Sequence, residues 1–144
     1  MSSRSDLVVV VDTRERRPYV FEKSIVRALP AGDYSVLGHE EEVAIERKTL
    51  SDAYSSLGWA RERFEREIGR LANYQFAAIV IECSLPDFLH PPQFSRLNPR
   101  SAIGTLLSWN VKYGVHVLFA GDRAHAQAVT LQLLTKFVKY REAA

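Results

Sequence analysis

The sequence predicts an α/β domain, a mixed central sheet flanked by helices on both faces, and three observations carry that prediction. Short, mostly apolar runs rich in β-branched residues stand at Leu7–Val11, Val43–Ile45, Phe76–Cys83 and Val115–Phe119. Each is brief enough to favour a strand buried on both faces over a helix. Between them lie amphipathic stretches, such as Phe64, Ile68 and Leu71 under a charged face, whose spacing is helical. In the second half of the chain the two kinds of segment alternate, an order that packs helices against both faces of one sheet.

The elements follow in order. Met1–Asp6 is a polar lead into the first strand, Leu7–Val11. Ile25–Leu29 and Tyr34–Leu37 are extended pieces on either side of Pro30-Ala-Gly-Asp33, with a tight backbone feature at Gly32. Val43-Ala-Ile-Glu-Arg-Lys48 follows an acidic turn, His39–Glu42, and the strands from Ile25 to Lys48 are expected to form an antiparallel meander. Thr49 or Ser51 supplies a helix N-cap with Asp52 in the first turn, and Gly58-Trp59 breaks that helix. A second helix runs from about Arg61 to Tyr74 and leads into the strand Phe76–Cys83. Ser84–Asn98, with Pro91-Pro92 at its tip, is expected to be irregular. Asn98-Pro99 then opens a helix, as N-cap and first-turn proline, that ends before Gly114. Val115–Phe119 is the last strand, and Asp122 caps a C-terminal helix whose apolar face is expected to be Ala126, Val129, Leu133, Phe137 and Tyr140.

At 144 residues and 47% hydrophobic content, residues 1–144 form one domain that buries roughly two-thirds of its unfolded surface. The single cysteine, Cys83, sits in an apolar stretch, so neither a disulfide framework nor a Cys-rich zinc site can be built within the chain. An intracellular, reducing setting fits, in the cytoplasm or on the nucleoid if the source is prokaryotic. No apolar run is long enough for a membrane span, so no membrane partner is expected. A net charge of +2 decides nothing about nucleic acid, since binding needs a local basic face.

Side chains two apart on a strand share a face, so Glu46 and Lys48 stand together while Arg47 points the other way. Asp33, from the neighbouring strand, brings a second carboxylate to the same patch. An isolated Glu-x-Lys pair is equally at home on an exposed edge strand, where mixed charge discourages aggregation. Here, however, Val43 and Ile45 make the strand core-like, and Asp12 and Asp33 also end apolar runs. Two carboxylates and an ammonium suit phosphodiester hydrolysis. Hard oxygen ligands hold Mg²⁺ or Mn²⁺, which polarises a phosphoryl group and makes hydroxide available near neutrality. Lys48 then orients water or stabilises developing negative charge.

The stretches Val11-Asp-Thr-Arg-Glu15, Gly32-Asp-Tyr34 and Glu46-Arg-Lys48 followed by Asp52 match in order and spacing a signature of G-D, a gap, E-R-K, three residues and D. They resemble the nuclease domain of the XPF-type, or ERCC4-domain, structure-specific endonucleases, and the resemblance covers nearly the whole chain. It implies a restriction-endonuclease-like fold that cuts one strand of duplex DNA near a branch or single-strand junction, in repair or recombination, with Mg²⁺ or Mn²⁺. It places the acidic site on Asp12, Asp33 and Glu46, with Lys48 as the catalytic lysine. Asp33 and Glu46 are then direct metal ligands, and Asp12 acts directly or through water. Glu15 and Asp52 match further acidic positions, and Arg14 and Arg47 the arginines. No helix-hairpin-helix module of the kind many members of that family carry is expected in this chain, which would leave fewer phosphate contacts with which to orient a junction. The Asp12–Asp33 segment also leaves little room for a helix.

Arg47 is expected to pair with a carboxylate such as Asp52, bracing the site. Arg61, Arg63, Arg66 and Arg70 alternate with Glu62, Glu65 and Glu67. That pattern suits a solvated helix face, while Arg61 and Arg63 are also candidate DNA contacts. Trp59, beside Gly58, is either a core residue or an exposed ring that stacks on an unpaired base. The four histidines, His39, His90, His116 and His125, lack metal-ligand spacing. Leu106, Leu107, Trp109, Leu131, Leu134 and Phe137 exceed what one face buries, which fits a homodimer or a partner subunit. Two functions stay open: an active nuclease, and a non-catalytic DNA-binding or scaffolding module of the same fold. RNA is a further candidate substrate for the same chemistry.

Overall fold

The computed structural model of the chain describes residues 7–143, so the polar lead Met1–Asp6 lies outside the described residues. Its elements are β1 (Val9–Val11), β2 (Ser24–Val26), β3 (Tyr34–Val36), β4 (Val43–Lys48), α1 (Leu50–Leu57), α2 (Arg61–Leu71), β5 (Phe76–Ile81), α3 (Leu85–Phe88), α4 (Pro99–Tyr113), β6 (His116–Phe119) and α5 (Arg123–Ala143). Among the described residues the strands form one mixed sheet in the order β2-β1-β3-β4-β5-β6.

β4 lies inside this sheet because both its faces are apolar over Val43-Ala-Ile45, each residue 0% exposed. It pairs antiparallel with β3 and parallel with β5. On one face, Ala44, Ala77, Ile79 and Ile81 pack against Leu57 of α1, Phe64 and Ile68 of α2 and Leu106 of α4. On the other, Tyr34, Ile45, Ala78 and Val80 pack against Ala126, Leu134 and Val138 of α5. Full burial of a side chain such as Phe64 or Ile68 contributes about 1.5–3 kcal/mol, so α2 is held firmly against β4 and β5. Helices therefore flank both faces, as predicted.

Several local expectations hold. Thr49 caps α1 in a reciprocal box with Asp52, and Gly58 closes that helix. Asn98 caps α4 ahead of Pro99, and Gly114 ends it in the left-handed conformation. The Asp122 carboxylate accepts the His125 N–H at 2.8 Å at the start of α5. No described helix is long and apolar enough to cross a membrane.

Three expectations are corrected. The antiparallel meander runs through β1, β3 and β4, whereas β2 pairs parallel with β1 at the sheet edge. Ser24 and Val26 of β2 are exposed, while the apolar β1 is buried throughout and takes the inner place. Ser84–Asn98 is not wholly irregular: Ser84 caps the short helix α3, anchored where the Tyr54 hydroxyl donates to the Phe88 carbonyl at 2.6 Å. On α5, Ala126, Val129, Leu133 and Phe137 pack on the core as expected, but Tyr140 is exposed and the most buried line is Ala126, Thr130, Leu134 and Val138. A threonine in that line hides it from a count of apolar residues. Leu106, Trp109 and Leu134 are also spent on the chain's own core, which leaves Leu107 and Leu131 as the exposed members of the proposed pairing set.

Candidate active site

Three strands end at one patch of the sheet. Val11 pairs with Tyr34, and Tyr34 with Ile45. One further step along these antiparallel registers sets Asp12 beside Asp33 and Asp33 opposite Glu46. Two carboxylates directly opposite each other are destabilising in a sheet unless something offsets their charge. The chain enters this row through Gly32, whose φ of 77° suits glycine and whose added Cβ would lie 3.0 Å from the Ala44 Cβ and 3.3 Å from the Ile45 carbonyl. That close approach lets the Asp33 carboxylate accept the Arg47 backbone N–H at 2.7 Å.

Glu46 and Lys48 share the face of β4 that looks toward α1 and α2. The Lys48 ammonium lies 3.3 Å from Glu46, donates to the Ser56 hydroxyl at 2.9 Å, and stands 4.8 Å from the centre of the Phe64 ring. It is fixed from three sides. Burial, first, and then the repulsion between Asp33 and Glu46 push the Glu46 carboxyl well above the usual glutamate range, with Lys48 opposing. Asp33 is pushed up to about 6 by burial, against the hydrogen bond from Arg47, with Glu15 and Glu67 adding to the rise. Burial alone would lower the Lys48 ammonium, but Glu46, Glu67 and Asp33 together raise it, so it stays charged.

Asp12 is engaged differently. It is 2% exposed; one oxygen accepts the Leu29 N–H at 2.8 Å and the other the Arg14 Nε at 2.8 Å. Burial opposes the charge, but these hydrogen bonds win and hold the carboxyl below its usual range. Arg14 also reaches the Leu29 carbonyl at 3.2 Å, so the pair ties the end of β1 to the segment ahead of Gly32.

On the reverse face of β4, Arg47 is paired as expected, but not with Asp52, which is occupied in the Thr49 capping box. Its Nε lies 2.6 Å from Glu82 and its Nη1 3.3 Å from Glu15, all three side chains at most 9% exposed. The Tyr34 hydroxyl donates to Glu15 at 3.0 Å, and the Tyr19 hydroxyl to Glu82. Arg123 of α5 donates to the carbonyls of Arg17 and Pro18 at 2.8 and 3.0 Å, which holds the loop carrying Arg14 and Glu15.

Outside the patch, the α1–α2 turn presents Trp59, 79% exposed, with the Arg63 guanidinium 5.6 Å from its ring centre. Arg61 lies over Trp109 at 5.3 Å. Trp59 is thus no core residue. Among the histidines, His39 pairs with Glu42 and His125 with Asp122, away from the patch. Among the described residues no three His, Cys, Asp or Glu side chains already form a metal-holding group.

A model of the ERCC4 domain matches residues 11–133. The chain belongs to the ERCC4 domain family. XPF from Aeropyrum pernix is similar at 27% identity over 91% of this chain and 61% of its own, with a TM-score of 0.70. XPF from Aeropyrum pernix in complex with DNA gives 26% identity, 94% and 66% coverage, and a TM-score of 0.71. The chain therefore spans 61% of the length of the first of these proteins, and its fold is the restriction-endonuclease-like one of the XPF nuclease domain. No curated protein matches it.

In this ERCC4 domain the structure brings Asp33, Glu46 and Lys48 together, sets Asp12 with Arg14 beside them, places Glu15 and Arg47 behind the strand, and uses Asp52 as a helix cap. Sequence reading missed Glu67 of α2, whose charge acts on Glu46, Asp33 and Lys48 from the half-buried side of the helix. The available signal was its position between Phe64 and Ile68, on the stripe that packs inward rather than on the solvated face. Glu82 was missed because nothing local distinguishes a carboxylate at the end of a buried strand from a surface one.

Proposed function

We propose that this ERCC4 domain is a metal-dependent DNA endonuclease that hydrolyses phosphodiester bonds. Its substrate is branched, flap or junction-containing DNA in repair or recombination inside the cell. The observation that carries the reading is the convergence of Asp33, Glu46 and Lys48 on one patch, with Lys48 held 3.3 Å from Glu46. The family membership and the likeness to an XPF that binds DNA support it.

The donor set fits Mg²⁺ or Mn²⁺. Its oxygens are hard ligands, and burial first, then neighbouring carboxylates, push the Asp33 and Glu46 carboxyls above their usual range, a cost that a divalent cation offsets. Asp33 and Glu46 would hold the ion, which when bound supplies Lewis-acid activation of the phosphoryl group and of water. Asp12, with both oxygens taken by Arg14 and Leu29, positions the strand end instead of ligating directly.

The chain's own groups do the rest. Lys48 is braced by Ser56 and Phe64, so its N–H bonds are aimed before substrate arrives, and charge building on a phosphoryl oxygen meets a donor that needs no reorientation. Arg47, neutralised by Glu15 and Glu82, fixes β4 through packing while its backbone N–H orients Asp33. Arg61, Arg63 and Trp59 form the DNA-binding edge, the arginines contacting phosphate and the exposed ring stacking on an unpaired base.

Labelled flap, fork, nicked and plain duplex DNA, with RNA counterparts, are incubated with the protein in Mg²⁺, Mn²⁺ or EDTA. The expected result is metal-dependent cutting of DNA, abolished by Asp33→Asn or Glu46→Gln. DNA left intact under every metal condition, with binding retained, would leave a DNA-binding or scaffolding module and overturn the proposal.

A further inference from the structure

We propose that Glu67 supplies a third carboxylate to the cation site built on Asp33 and Glu46, directly or through a water of the ion. The inference rests on the nuclease reading above and extends its ligand set to a helix.

The first argument is placement. α2 packs on β4 through Phe64, whose ring takes the Lys48 ammonium at 4.8 Å, and Glu67 lies three residues further on. Residues three apart on a helix share a face. Glu67 is accordingly half-buried, and its charge acts on Glu46, Asp33, Lys48 and Arg14. Its neighbours on α2 behave otherwise. Glu65 takes the Tyr113 hydroxyl at 2.8 Å and lies 3.7 Å from Lys112, and Glu62 is exposed.

The second argument is charge balance. Asp12 is matched by Arg14, and Glu15 and Glu82 by Arg47 and Arg123. Asp33 and Glu46 against Lys48 leave one uncompensated negative charge, and Glu67 makes it two, the charge of one divalent ion. A carboxylate brought near others on the half-buried side of a helix has no structural advantage over glutamine, because like charges repel without a cation between them. Mg²⁺ keeps several waters and needs few protein oxygens, so a ligand from α2 would also fix the helix that presents Arg61 and Arg63.

The test is Mn²⁺ binding followed by calorimetry, with thermal melting in EDTA as a readout independent of catalysis. Glu67→Gln is expected to weaken Mn²⁺ binding by about tenfold or more, and Glu67→Asp to retain part of it. Glu62→Gln, the same charge change at an exposed site, is expected to alter it by less than about twofold. Metal-free Glu67→Gln is expected to melt at or above the temperature of the unaltered chain. Two outcomes overturn the proposal while leaving the nuclease reading intact. One is Mn²⁺ affinity in Glu67→Gln within twofold of the unaltered chain while Glu46→Gln abolishes binding; the other is a lowered melting temperature in EDTA, which would make Glu67 a structural residue. Failure of the unaltered chain to bind Mn²⁺ would sink both.

Discussion

Asp33→Asn tests the electrostatics of the patch more sharply than any activity assay, because the reasoning requires that an inactivating substitution stabilise the metal-free protein. Asp33 stands opposite Glu46, is largely buried, and has a carboxyl raised from 3.8 to about 6. The folded chain therefore binds more protons than the unfolded chain between those values, and this group's contribution to stability falls as pH rises through that window. The separation corresponds to roughly 3 kcal/mol of destabilisation once the carboxyl is ionised in both states. Asparagine removes the charge but keeps an oxygen to accept the Arg47 N–H.

Urea unfolding in EDTA, measured for both proteins across a pH series, isolates the effect. The stability difference is expected to be near zero below about pH 4 and to grow in favour of Asp33→Asn as pH rises, to roughly 3 kcal/mol at neutral pH. For a domain of this size that is a rise in melting temperature of about 6–12 °C. Mn²⁺ should narrow the gap by stabilising only the unaltered chain, since a ligand that binds the native state shifts unfolding by mass action. A difference that is flat with pH, or an Asp33→Asn protein less stable at neutral pH, would show that the Asp33 charge carries no penalty in the metal-free fold and would remove the physical case for a cation there.

Other perturbations follow from the same geometry. Arg47→Ala strands Glu15 without its cation and leaves Glu82 with only Arg123 at 3.8 Å, at sites 9% exposed or less, and urea melts should show a loss of about 3–5 kcal/mol at neutral pH. Trp59→Ala, at a side chain 79% exposed, should leave the melting temperature unchanged while weakening single-strand or junction binding by about 1–3 kcal/mol in a gel-shift or anisotropy titration. Gly32→Ala forces an L side chain to a φ of 77° with its Cβ 3.0 Å from Ala44, so stability should fall by about 1–2 kcal/mol or more, with cleavage reduced as Asp33 is displaced. Thr49→Ala, which breaks the capping box of α1, should cost about 1 kcal/mol in thermal or urea unfolding and only modestly slow cleavage through the Ser56 brace on Lys48.

What could be read from the sequence was what short-range geometry fixes. The period of two along β4 separates Glu46 and Lys48 from Arg47, Thr49 with Asp52 and Asn98 with Pro99 mark helix starts, and Gly32 announces a backbone that must approach its neighbour. What could not be read depends on contacts distant in sequence. Arg47 finds its carboxylates 32 and 35 residues away, at Glu15 and Glu82, whereas Asp52, nearest in sequence, is claimed by its own helix. Glu67 sits in a run of alternating arginines and glutamates that looks solvated throughout, and only the packing of α2 on β4 singles it out. On α5, Thr130 occupies the most buried line, which a count of apolar residues passes over. β2 lies at the edge because β1 and β3 satisfy each other first, a competition that no single segment reveals.

The two faces of β4 solve opposite electrostatic problems with alternate residues of one strand. Toward α5, each buried carboxylate has an arginine, so the network holds the loop of Arg14 and Glu15 and the strand in fixed relation and gains nothing from a cation. Toward α1 and α2, carboxylates outnumber the one ammonium, so the metal-free fold bears a repulsion that the rest of the domain must outweigh. Removing charge from the first face should therefore lower stability, with activity falling as a consequence, while removing the Asp33 or Glu46 charge from the second should raise stability and abolish activity directly. A carboxylate's effect on unfolding in EDTA thus assigns it to bracing or to the cation site before any substrate is chosen.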